Sequence, residues 1–141
     1  MKQPLRRTVA ESNGQAIIEF ALLLPLFLLL LFGIIDFGRA YSASVTLTNA
    51  AREGARYGVI QPTNTSGIIS RVHTTAGPYN DSNLLVTPSC SPSCSSGNDV
   101  IVLTNYQFSF ITPLAGIAKF FSGGALPTKL NLKSSADMRI E

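Results

Sequence analysis

The chain has 141 residues and a formal net charge of +3, with 45% hydrophobic and 13% charged side chains. Setting aside a membrane segment and its flanks leaves about 80 residues for a globular part, enough for one modest core, which excludes a large enzyme fold. The basic residues beyond the apolar segment are scattered, with no Lys/Arg run interleaved with aromatics, so the positive balance does not mark a nucleic-acid surface.

Lys2, Arg6 and Arg7 precede an apolar run from Ala16 to Ile35 that Glu19 alone interrupts with a charge. At about 1.5 Å per residue, 20 helical residues cover the roughly 30 Å hydrocarbon layer once. A cleaved secretory signal would have an apolar region of only about 7 to 15 residues and a small-residue cleavage site, so the length favours a retained single-pass anchor. The basic flank places the amino terminus in the cytoplasm, because just beyond the span only Arg39 follows and Asp36 opposes it. A carboxylate in a membrane helix costs about 2.5 to 3.5 kcal/mol at the helix centre, and less near the interface, so Glu19 calls for a partner. Upstream of it lie Gly14 and Gln15. Cleavage after Gly14 would free the Gln15 amine at the positive end of a helix, where Glu19 of a neighbouring subunit can neutralise it. The plain alternative is that Glu19 snorkels to the headgroups and Gly14 is a loop glycine. Pro25 falls within the span, where it removes one helix hydrogen bond and is expected to bend or loosen the helix.

From Gln15 to about Val59 the pattern is that of one long helix, all-round apolar and then one-sided. Ala40, Ala43, Leu47, Ala50, Gly54 and Tyr57 form a stripe at helical spacing, off which Arg52, Glu53 and Arg56 fall. Two uses of that small-residue stripe stay open: packing on the chain's own sheet, and close approach of neighbouring helices. Gln61 to Gly67 is turn-rich, and Gly67 to Gly77 suits a short helix between glycines. Asn83 to Pro88 reads as a strand, as does Asp99 to Phe110, whose apolar start suggests burial on both faces. Pro113 to Phe121 suits a short helix closed by Gly123-Gly124, and Lys129 to Glu141 a final strand, with a slip in alternation at Ser134-Ser135 that allows a bulge. The outer part is expected to be a three-stranded antiparallel sheet resting on the long helix, an α+β fold.

Cys90-Ser-Pro-Ser-Cys94 lies in a Ser/Pro/Gly-rich loop expected outside the membrane, where a turn around Pro92 can bring the two Cα atoms within the roughly 7 Å a disulfide needs. Zinc would want more ligands than two cysteines and the distant His73, so no metal or other cofactor is expected, and His73 reads as a partly exposed helix residue. The serines show no nucleophile elbow or spaced acid and histidine, and no phosphate-cradling glycine loop is present, so neither catalysis nor a small-molecule substrate is expected.

The motif Gly14-Gln-Ala-Ile-Ile-Glu-Phe20, the Leu-rich span with Pro25, Gly33-Ile-Ile-Asp-Phe-Gly-Arg39 and Thr48-Asn-Ala-Ala-Arg-Glu-Gly-Ala-Arg-Tyr57 together resemble TadE-like proteins, minor pseudopilins of the tight-adherence, Flp-type pilus machinery. The likeness is specific over about residues 14 to 59 and only topological beyond, although Ser135-Ala-Asp-Met-Arg-Ile-Glu141 also has a family-like look. It implies cleavage by a prepilin peptidase between Gly14 and Gln15, with Glu19 and Phe20 at the fifth and sixth mature positions. It also implies a pilin-like fold and a structural, non-enzymatic role in pilus assembly. The implied partners are other pilins or pseudopilins, the pilus assembly platform and membrane lipid. The implied location is the bacterial cytoplasmic (inner) membrane with the C-terminal domain extracytoplasmic, or the pilus itself. The helix-assembly residues would be Glu19, Pro25, Ala43, Leu47, Ala50 and Gly54. On this reading the chain divides into a leader (1–14), a transmembrane helix (15–36), its amphipathic extension (37–60) and a small extracytoplasmic domain (61–141). Glu11 departs from a leader that is usually basic throughout; removing residues 1–14 leaves eight basic and seven acidic side chains, net +1, and no steering field. The competing reading is a single-pass membrane-anchored extracytoplasmic binding or enzymatic module with an uncleaved anchor.

Overall fold

The computed structural model describes residues 10–113, 116, 123 and 129–141. Its elements are a long helix α1 (Ala10–Ile60), a helix α2 (Thr65–Ala76), a 3-10 turn (Gly77–Tyr79) and strands β1 (Leu84–Ser91), β2 (Asp99–Ser109) and β3 (Lys129–Arg139). The basic leader before Ala10 lies outside the described residues, as does most of the expected helix over Pro113–Phe121 with Gly124. The α+β expectation is borne out: one apolar N-terminal helix, a second helix and a three-stranded antiparallel sheet in the order β1-β2-β3.

α1 holds 51 residues and runs unbroken through Pro25, a length of about 76 Å at 1.5 Å per residue. It begins at Ala10, upstream of the expected start, so Gly14 lies inside the helix. It ends at Ile60 because Pro62 cannot continue the ladder and disfavours helical backbone at Gln61. The following turn is held by side chains: Asn64 Nδ2 donates to Gln61 Oε1 at 2.8 Å, and its Oδ1 accepts from the Gly67 amide at 3.0 Å. That second bond is an N-cap, and it starts α2 two residues earlier than the glycine boundaries suggested. Gly67 is required there, since a Cβ would stand 2.6 Å from the Tyr57 ring.

The core lies between the inner sheet face and two helical stripes. Ala43, Leu47, Ala50, Ala51 and Ala55 of α1 are fully buried, as are Val72 and Ala76 of α2. Opposite them sit Val86 of β1, Val100, Val102 and Phe108 of β2, and Ala136 of β3, the alternate residues of each strand. Small helix residues let the backbones close in. A Cβ on Gly58 would meet Val100 Cγ1 at 2.7 Å, and one on Gly54 would collide with the Val72 side chain.

Three strand expectations need correcting. β1 continues past Pro88 to Ser91, which an edge strand permits because the missing amide faces outward. β2 is buried on one face only: Val100 and Val102 are fully buried, but Leu103 is 47% exposed and Ile101 half-buried on the outer face. β3 has no bulge at Ser134-Ser135, since every residue from Lys129 to Arg139 pairs with β2 in continuous register. Ser134 keeps the inward parity of Leu132 and Ala136 and uses its hydroxyl there, donating to Thr48 Oγ1 at 2.9 Å.

Candidate functional site

From Gly14 to Leu31 the helix surface is one that the chain itself does not cover. Leu22 is 74% exposed and Phe20 65%; Phe32 and Gly33 are half-buried, and Ile34 and Ile35 are exposed again. α1 is long and apolar enough to cross a membrane, and its most apolar stretch is unburied, unlike the core helix of a globular protein. A single N-terminal membrane-anchor helix is thus supported.

The proposed processing residues lie on this bare helix. Gly14 has nothing near the position of a Cβ. Gln15 Nε2 donates to Glu19 Oε1 at 3.2 Å, one helical turn on, an exposed pair. Glu19 is far from the outer domain, about 26 Å down the axis from Asp36 at 1.5 Å per residue. Any cationic partner for it must come from outside the described part of the chain or from a new amine at Gln15.

The junction between span and outer domain is built differently. Asp36, the first residue after the apolar run, is 2% exposed. Its Oδ2 accepts a bond from Thr112 Oγ1, 76 residues along the chain, and its Oδ1 faces Arg39 Nη1 at 3.6 Å. The Arg39 guanidinium lies over the Phe108 ring, 5.1 Å from the centroid, and Phe108 meets Phe110 edge-on at 5.7 Å. Carboxylate, guanidinium and aromatic ring thereby tie the exit of β2 to the base of the domain portion of α1. In the sequence Asp36 and Arg39 served to orient the span and as part of the motif Gly33–Arg39, not as a packed pair. Their spacing of three was a local signal, but nothing local pointed to Thr112 or Phe108.

The small-residue stripe is used inside the chain. Ala43, Leu47, Ala50 and Gly54 face the sheet and α2, so within the chain the stripe packs on the sheet and also lets a neighbouring helix, α2, come close at Gly54. Glu19 and Pro25 alone of the assembly candidates lie on open helix surface. At the far end of the domain Cys90 and Cys94 are disulfide-bonded, Cα atoms 5.1 Å apart, and Cys90 Sγ lies 3.8 Å from the Pro62 carbonyl that ends the helix. His73 is half-buried, with Nδ1 2.6 Å from Asn80 Oδ1. A depression on the outer sheet face is lined by Leu85, Thr87, Leu103, Asn105 and Ser135, with Lys133 its one charged lining residue.

Residues 14–56 match the family model described as TadE-like protein, which bears out the resemblance read from the motifs. The match ends within the helix and does not reach α2 or the sheet. No curated protein and no solved structure matches the chain. A TadE-like segment carries with it a Tad-pilus-related role and an N-terminal membrane-anchor helix.

Proposed function

Starting from a TadE-like segment at residues 14–56, we propose that this chain is a minor pseudopilin, a non-catalytic structural component for assembling a Tad/Flp-type pilus, processed by a prepilin peptidase after Gly14. The observation that carries the reading is Glu19, an exposed carboxylate on an otherwise apolar membrane helix, five residues after a glycine. Removal of the leader supplies the missing cation. The new Gln15 ammonium of one subunit pairs with Glu19 of the next, offsetting the desolvation both charges suffer in lipid and setting the axial register between helices. Gly14 also suits the cleavage step mechanically. It lies within α1, and a protease must take an extended strand, so the helix has to unwind there; glycine lowers the cost of that by about 1 kcal/mol relative to alanine.

Assembly then uses the bare half of α1. Pro25 leaves the carbonyl of Ala21 without its usual donor, a defect that neighbouring helices can satisfy as the subunit passes from bilayer to fibre or complex. The partners are accordingly the peptidase, other pilins or pseudopilins, the assembly platform and lipid, and the domain from 61 to 141 is extracytoplasmic from the cytoplasmic membrane. Cys90–Cys94 as a disulfide is in keeping with that oxidising side.

The test is intact mass and amino-terminal sequencing of the membrane-extracted protein, with and without its cognate peptidase. Peptidase-dependent loss of residues 1–14, leaving Gln15 at the terminus, is the expected result. Gly14→Trp should block processing, and Glu19→Ala should abolish assembly while near-UV circular dichroism of the outer domain stays unchanged. A full-length chain under both conditions, with normal pili from both variants, would favour an anchored module with an uncleaved anchor.

A further inference from the structure

We propose that the outer domain rests directly on the bilayer, its underside at Ile111 and Leu130 forming a second membrane contact whose occupant is the lipid interface. This rests on the reading of α1 as a membrane helix and adds a contact that the helix alone does not require.

The underside is located by two registers. Thr112 is bonded to Asp36, the residue next to the apolar run, so the chain leaving β2 is level with the end of the span. β3 begins at the same level, Lys129 opposite Ser109 and Leu130 opposite Phe108. At this level apolar side chains are bare. Ile111 is 68% exposed, and Leu130 is 43% exposed although its parity puts it on the inner face with Leu132 and Ala136.

Round the helix from Asp36, and within about 8 Å of its level at 1.5 Å per residue, α1 carries Ile34 at 64%, Phe37 at 74% and Tyr41 at 66% exposure, spaced three and four residues apart on one side. Among the described residues, exposed apolar groups therefore lie on different sides of the helix close above the span and adjoin it. One partner protein docks on one side. A lipid annulus covers both. Tyr41 is of the residue type that settles at headgroup depth, while Arg39 and Lys129 bring cations near it, Lys129 Nζ held 2.9 Å from Gln107 Oε1. The far end is unlike this. Ile60 is exposed there beside a turn whose surface is hydroxyl and amide, Asn98 Nδ2 bonding Ser93 and Ser95 hydroxyls at 2.9 and 2.8 Å.

The chain contains no tryptophan, so a single introduced Trp is a unique reporter. Full-length Leu26→Trp, Ile111→Trp, Leu130→Trp and Ile60→Trp are placed in vesicles of phosphatidylcholine and phosphatidylglycerol, with or without acyl-chain bromination at shallow or deep carbons. The expected result is at least twofold quenching of Trp at 26 by deep bromines and of Trp at 111 and 130 by shallow ones, with none at 60. Leu130→Trp guards against misfolding at 111. Quenching at 26 with none at 111 and 130 overturns this proposal and leaves the anchor standing. No quenching at 26 overturns the anchor reading and this one with it. Blue-shifted but unquenched emission at 111 that turns red on dilution with excess lipid assigns the underside to a protein neighbour and overturns the lipid assignment.

Discussion

α1 carries two carboxylates with opposite solutions. Asp36 is buried, its Oδ2 accepting from Thr112 and its Oδ1 only ion-paired with Arg39 at 3.6 Å, whereas Glu19 is exposed with Gln15 as its bonded neighbour. Removing the first should hurt folding, and removing the second should not. Asp36→Ala strands the Thr112 hydroxyl and the Arg39 Nη1 that already has no hydrogen bond, an expected loss of about 1 to 3 kcal/mol in urea unfolding in detergent micelles. Asp36→Asn keeps an acceptor for Thr112 and should lose less. Tyr106 gives the outer domain an alkaline signature. Burial first, and then the Asp81 carboxylate that accepts its hydroxyl at 3.2 Å, hold its phenol above the ordinary 10.0. The folded state thus binds this proton more tightly than the unfolded chain, so the associated stability is complete below about pH 10 and is lost as pH rises through the folded value. Thermal midpoints of the wild type should fall more steeply above pH 10 than those of Tyr106→Phe, which should itself cost about 1 kcal/mol at neutral pH.

At the scale of elements, the contact of α1 with α2 depends on a missing side chain. Gly54→Ala would improve local helix propensity by about 1 kcal/mol but drive a methyl into Val72, an overpacking cost of about 1 to 3 kcal/mol. Denaturant unfolding of Gly54→Ala, Val72→Ala and the double variant should show the double more stable than the sum of the singles, because the second truncation opens the space that the first fills. The elements themselves were legible from local pattern: period 3.6 over the α1 stripe, period 2 in the second half of β2 and on either side of Ser134-Ser135 in β3. What escaped was whatever depends on a neighbour distant in sequence. Pro88 reads as a strand end until β1 is known to be an edge. Ser134 looks like a slip because a polar residue interrupts an apolar face, yet its parity is unbroken and Thr48 Oγ1 accepts its hydrogen bond. The apolar start of β2 suggested two covered faces, but the described residues bring helices to one only.

For the whole molecule, the candidate site was legible where it is linear. Gly14 and Gln15 are neighbours on one helix with Glu19 a turn further on, and sequence spacing alone places them. The tie between Asp36, Arg39, Phe108 and Thr112 joins residues up to 76 positions apart, and no window of the chain contains it. That tie has a geometric consequence. With α1 unbroken from Ala10 to Ile60 and the domain bolted to it at its midpoint, span and domain share one compass bearing. Glu19 stands 18 residues, or five turns at 3.6 residues each, beneath Phe37, about a quarter turn round the helix from Asp36. Whatever grips the domain from outside therefore also aims the Glu19 carboxylate, and turning one about the membrane normal turns the other by the same angle.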